Sequence, residues 1–96
     1  MIGIFDSGIG GLTVVKSLME KLPGYNMIYF GDTARTPYGS KSPETVVRYA
    51  LENTDFLLIQ GAKLIVMACN TASSVAAGRI GENYDIPIFE VVTPPT

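Results

Sequence analysis

Cys69 is the one cysteine of the sequence, and Cys69-Asn70-Thr71 sets a thiol, an amide and a hydroxyl at consecutive positions. A lone cysteine at the end of an apolar run is by default a small buried hydrophobe. Here the run gives way to a helix start. Backbone N–H groups and the positive end of a helix dipole then lie beside the sulfur, surroundings that favour the thiolate and make a reactive thiol the better expectation. With no histidine in the chain, carboxylates and this thiol are the only strong metal ligands left, which excludes a structural zinc site.

Asp6-Ser7 and Asp32-Thr33 are the other candidates, and each also follows an apolar run. Taken singly, Asp6-Ser7 reads equally well as a helix N-cap and Asp32 as a turn-forming aspartate. Gly8 and Gly10, with Asp32 about 20 residues on, partly imitate a dinucleotide-binding loop. Thr13 takes the place of the third glycine, however, and Asp6 would set a carboxylate against the pyrophosphate. Nucleotide binding is therefore the weaker alternative. No Gly-Lys-Ser/Thr follows the glycines, so a P-loop is absent.

Alternating strands and helices must position these groups. Residues 2–5 predict a first strand, followed by the glycine-rich turn 6–11. Leu12, Val15, Leu18, Met19 and Leu22 then recur at helical spacing until Pro23-Gly24. Residues 27–30 predict a second strand, and 33–41 a loop in which Arg35 and Lys41 are solvated charges and Tyr38 can line a pocket. Tyr25, Tyr29 and Phe30 read as core. Ser42, Pro43 and Glu44 predict a helix start, with Val47, Ala50, Leu51, Leu57 and Leu58 buried and Gly61 at the end. The continuously apolar run 64–68 predicts a central strand covered on both faces. A small-residue helix over 72–80 follows, capped by Thr71 or Asn70 and closed by Gly81, and 87–92 predicts a fourth strand.

The order βαβαβαβ, with right-handed crossovers, gives a three-layer α/β/α sandwich on a parallel sheet. Ligands of such sheets bind outside the carboxyl ends of the strands. Asp6, Ser7, Asp32, Thr33, Cys69, Asn70, Thr71 and Thr93 all follow strand ends, so they converge on one rim though distant in sequence.

At 96 residues the chain predicts a single α/β domain over 1–96. Hydrophobic residues make up 47% and charged residues 17%, and the mean hydropathy is +0.27; such a chain buries a core instead of staying disordered. The net charge of −2 comes without any Lys/Arg cluster, which gives no electrostatic reason to expect a nucleic-acid or membrane partner. The N-terminus lacks the pattern of a signal peptide, and no apolar run is long enough to span a bilayer, so a cytoplasmic protein is expected.

Three motifs carry a family resemblance: Asp6-Ser7-Gly8-Ile9-Gly10-Gly11, the loop Gly31-Asp32-Thr33-Ala34-Arg35-Thr36-Pro37-Tyr38-Gly39, and Ala68-Cys69-Asn70-Thr71-Ala72. In this order and spacing the chain resembles the N-terminal part of the glutamate racemases, cofactor-independent isomerases that supply D-glutamate for bacterial peptidoglycan. The resemblance implies that Cys69 exchanges the α-proton on one face of glutamate and that Asp6 assists it. It implies further that Ser7, Pro37, Tyr38, Gly39, Asn70 and Thr71 hold the substrate. No cofactor is implied.

The chain departs from that family in one chemical respect. Racemisation without a cofactor needs an acid/base on each face of the α-carbon, and the family's second cysteine lies in a Cys-Thr-His motif of a second domain. One cysteine and no histidine therefore predict half of a two-domain racemase, the second catalytic domain absent and the 96 residues inactive alone. Apolar surface left uncovered would meet the missing C-terminal half or a second copy of the chain. The alternative function is a non-catalytic amino-acid-binding or assembly module.

Overall fold

A computed structural model of the chain describes residues 1–6, 11–35 and 38–90. Four strands, β1 (Ile2–Asp6), β2 (Met27–Gly31), β3 (Leu64–Met67) and β4 (Ile88–Glu90), alternate with three helices. These are α1 (Gly11–Lys21), α2 (Pro43–Ile59) and α3 (Asn70–Asn83), and two 3-10 turns, Thr33–Arg35 and Tyr38–Ser40, lie between β2 and α2. The strands form one sheet in the order β2-β1-β3-β4, every pair parallel, as expected from the alternating pattern.

Strand order decides which face each helix covers. The chain moves outward from β1 to β2, then returns past β1 to β3 and on to β4. Right-handed crossovers in opposite directions along the sheet must lie on opposite faces. Accordingly Val14, Val15 and Leu18 of α1 pack on Ile2, Ile4 and Val66, whereas α2 and α3 pack on Phe5, Ile65 and Met67. The two-residue period of the strands sends successive side chains to the two layers, so β1, buried at all five positions, and β3 form the sheet's interior. β1 also lies tight against the α2 side. A methyl on Gly3 would come within 2.9 Å of the Ala62 Cβ and 3.1 Å of the Leu57 Cβ, atoms fixed close to the backbone.

Helix α2 starts as its sequence predicts. Ser42 Oγ accepts the Thr45 N–H at 3.2 Å, Pro43 needs no donor there, and Glu44 suits the first turn. Gly61, with φ +104°, turns the chain after the helix, a left-handed conformation that suits glycine. The buried line differs from the expected one: Val46, Ala50, Asn53, Thr54 and Leu57 face inward, while Val47, Leu51 and Leu58 are half-buried at its flank. Thr54 fits because its hydroxyl bonds back to the Ala50 carbonyl at 2.8 Å.

The expectations for the third helix and for Tyr25 need correction. Helix α3 runs from Asn70 through Gly81 to Asn83, and neither Asn70 nor Thr71 is its N-cap: that position is Cys69, which makes no side-chain capping bond. Glycine's helix penalty of about 1 kcal/mol does not stop the helix where Ile80, one residue before, and Tyr84, three residues after, pack into the core. Tyr25 is not core but 64% exposed, standing in the turn after α1. The fourth strand is described over Ile88–Glu90; the remainder of its expected span and Thr93 lie outside the described residues.

Candidate active site at the carboxyl edge of the sheet

The strand order reverses between β1 and β3, and in open α/β sheets the crevice beyond such a reversal takes the ligand. Asp6 ends β1 on one side of it and Cys69 follows β3 on the other. Two backbone bonds carry the pairing past the strands: Ala68 N–H donates to the Phe5 carbonyl at 2.9 Å, and Asp32 N–H to the Asp6 carbonyl at 3.0 Å. Asp6, Asp32 and Cys69 therefore leave the sheet at one level. All three are buried, Asp6 at 0% and Cys69 at 8% exposure.

Cys69 accepts the Ser73 N–H through its carbonyl at 2.9 Å. Its thiol makes no cap bond at the start of the 14-residue helix, and the residue packs in the buried cluster of the α2/α3 face. Asp6 receives the Tyr29 hydroxyl on Oδ1 at 2.8 Å. Burial, reinforced by that bond, pushes the Tyr29 phenol up to about 12, so it stays protonated and donates throughout the physiological range.

Asp32 is the centre of a second cluster. Tyr38 donates to its Oδ2, and Arg35 Nε reaches Oδ1 at 3.1 Å and Oδ2 at 2.9 Å. Asn53, on α2, donates to the Tyr38 oxygen at 2.8 Å and accepts from Arg35 Nη2 at 3.1 Å. The Arg35 guanidinium also pairs with Glu52 and lies 4.0 Å above the Tyr49 ring. Arg35 is thus no solvated loop charge, as its position in the loop suggested; it ties the loop to α2. Lys41 is exposed, as expected.

The structure brings Asp6, Asp32, Cys69 and Thr71 to one edge. Tyr38 is there too, but its ring, 1% exposed, is packed into the core and its hydroxyl is engaged by Asp32 and Asn53. Burial first, and then the bond to Asp32, pushes this phenol well above its ordinary range. The expectation of a pocket-lining Tyr38 is corrected accordingly: the residue is buried and its hydroxyl is engaged within the protein. Gly39 is exposed and open. Ser7 and Pro37 lie outside the described residues, as does the Asn70 side chain. The residues that sequence reasoning missed are Arg35, Glu52, Asn53 and the hydroxyl of Tyr29. Asn53 alone left a signal, an amide three residues from Ala50 on the apolar side of α2.

This is an open parallel α/β fold in which an aspartate ends one central strand and a cysteine follows the other. No family model matches the chain. Among curated relatives, the glutamate racemase of Geobacter metallireducens is 56% identical over 93 residues, covering 97% of this chain and 34% of the relative. The glutamate racemase of Thermus thermophilus, in a crystal structure with β-chloro-D-alanine, superposes with a TM-score of 0.90 at 56% identity, over 95% of this chain and 36% of that one. That of Francisella tularensis, crystallised with D-glutamate, gives 0.86 at 50% identity, over 93% and 34%. In sequence and in fold, then, the chain corresponds to part of a glutamate racemase. It spans about a third of the length of the curated relatives it matches.

Proposed function

We propose that the protein carrying this chain interconverts L- and D-glutamate without a cofactor, with Cys69 as the acid/base on one face of the α-carbon and Asp6 assisting it. The observation that carries this is the placement of Asp6 and Cys69 on either side of the sheet's reversal point. It is supported by the glutamate racemases that match the chain over nearly all its residues.

In the forward half-reaction on D-glutamate, the Cys69 thiolate takes the α-proton, leaving the electron pair on the carbon and its carboxylate. A proton delivered to the opposite face then gives L-glutamate. The α-proton is far less acidic than a thiol, so the step depends on close positioning and exclusion of water. Burial of Asp6 and Cys69 serves both. Thr71, Asn70, Ser7, Pro37 and Gly39 hold the substrate's carboxylates and ammonium in this proposal. The proton donor on the second face comes from outside these 96 residues, which hold one thiol and no imidazole.

Chiral analysis of glutamate incubated with the complete protein tests this. Turnover of both isomers is expected, with Cys69→Ser reducing kcat by roughly 100-fold or more, the scale of lost acid/base catalysis. Unreduced turnover in Cys69→Ser removes the assigned role. The isolated 96 residues are expected to give no enzymic racemisation.

A further inference from the structure

We propose that Tyr29 is a positioning residue: it fixes the carboxylate of Asp6 across the β1–β2 pair, and Gly31 is glycine to let it do so. The proposal rests on the assignment of Asp6 as assistant to Cys69. In the parallel register Ile4 lies opposite Tyr29 and Asp6 opposite Gly31. Tyr29 and Asp6 are thus diagonal neighbours on one face of the sheet, a separation within reach of an aromatic side chain. The phenol bridges it, donating to Asp6 Oδ1 at 2.8 Å.

To get there the ring must lie along its own strand, over the next residue on the same face. That residue is Gly31. A methyl at Gly31 would stand 3.4 Å from two Tyr29 ring carbons, in ordinary contact, and 3.1 Å from Tyr29 Oη, so the hydroxyl would have to give by a few tenths of an ångström. A side chain longer than a methyl would compete with the phenol for the same space beside Asp6. A tyrosine that served only as core would have no need of a glycine two residues on, and Tyr29 is only half-buried.

A carboxylate at a strand end can turn about its side-chain torsions, and a hydrogen bond to a charged acceptor is among the stronger restraints available. Holding Oδ1 from β2 restricts the side-chain torsions open to Asp6 at the edge where Cys69 follows β3. The contribution is made to the reacting arrangement and not to the binding of glutamate, so it belongs in kcat and leaves KM nearly unchanged.

The test is Tyr29→Phe in the complete protein, which removes one oxygen and keeps the ring. A fall in kcat of roughly tenfold is expected, with KM within about twofold and with less than about twofold further loss when the substitution is made on an Asp6→Asn background. An undiminished kcat, or a loss that repeats in full on Asp6→Asn, overturns the proposal. Gly31→Ala keeps the hydroxyl but crowds it, and is read in the same way if Tyr29→Phe does not fold. If the unsubstituted protein turns over neither isomer of glutamate, racemisation is not its activity, and the positioning is read from protein labelled with 13C at the aspartate carboxyls. The resonance absent in Asp6→Asn should move in Tyr29→Phe; an unmoved resonance overturns the positioning itself.

Discussion

The two faces of the sheet are built to different standards. On the α2/α3 side, Phe5, Ile65, Met67, Leu57, Ile80 and Val46 are all essentially without exposure, and the helices close over them. On the α1 side the buried apolar cluster among the described residues is smaller, consisting of Ile2, Ile4 and Val66. Beside them runs an apolar groove of about 400 Å³, lined among others by Leu18, Leu22, Tyr25, Leu64 and Phe89. The cause is topological. Two crossovers run toward β4 on one face, whereas a single short one, α1, crosses on the other. The candidate site draws on both: Asp6 and Tyr29 share the face of Ile4, toward α1, while the Asp32–Tyr38–Asn53 cluster is anchored on α2. Asp6 itself is fully buried, and the groove borders the opposite end of β1, at Ile2.

The sharpest way to break this comparison is a matched pair of truncations. Leu57→Ala, in the closed layer, is expected to cost about 3 kcal/mol, and Leu18→Ala, beside the groove, about 1 kcal/mol, because a cavity forms only where neighbours surround the site. Denaturant unfolding of the two variants checks the ratio, and equal losses would mean that the α1 face is closed in solution. Next in size is Asn53→Ala, which leaves the buried Tyr38 hydroxyl and the half-buried Arg35 guanidinium without their amide partner. A loss of about 2 kcal/mol is expected, and calorimetry should show it without a matching change on the α1 side.

The smallest effect is a basic-pH limb. Burial, with bonds to Asp6 and Asp55, raises Tyr29 and Tyr84 from 10.0 to about 12. Their folded values exceed the unfolded one, so the stability they contribute is intact below about pH 10 and is lost as the pH rises toward 12. Unfolding followed across that window should show the decline, with a shallower slope in Tyr84→Phe, which leaves the α1 face untouched.

Much of this was legible from residue order alone. Ser42-Pro43-Glu44 announced α2 because capping is local chemistry, and the unbroken apolar run 64–68 announced an interior parallel strand because both of its faces meet helices. The rim was legible for the same reason: in a parallel sheet every strand's carboxyl end lies on one edge, so residues following the strands must share it. Tyr25 and Gly81 were misleading. An aromatic in a turn has no covering layer unless a distant element supplies one, and a glycine ends a helix only where packing on either side does not carry it through.

By itself, then, the sequence determined the alternation of elements, the parallel sheet and the chemical types gathered along its edge, since period, caps and turns act over a few residues. Only the tertiary structure decided that Tyr38 turns inward to Asp32, that Arg35 is clamped to α2 and that Tyr29 reaches Asp6 across Gly31. Those contacts join residues 6 to 23 positions apart, and their partners are chosen by strand register and helix docking, which no local pattern encodes.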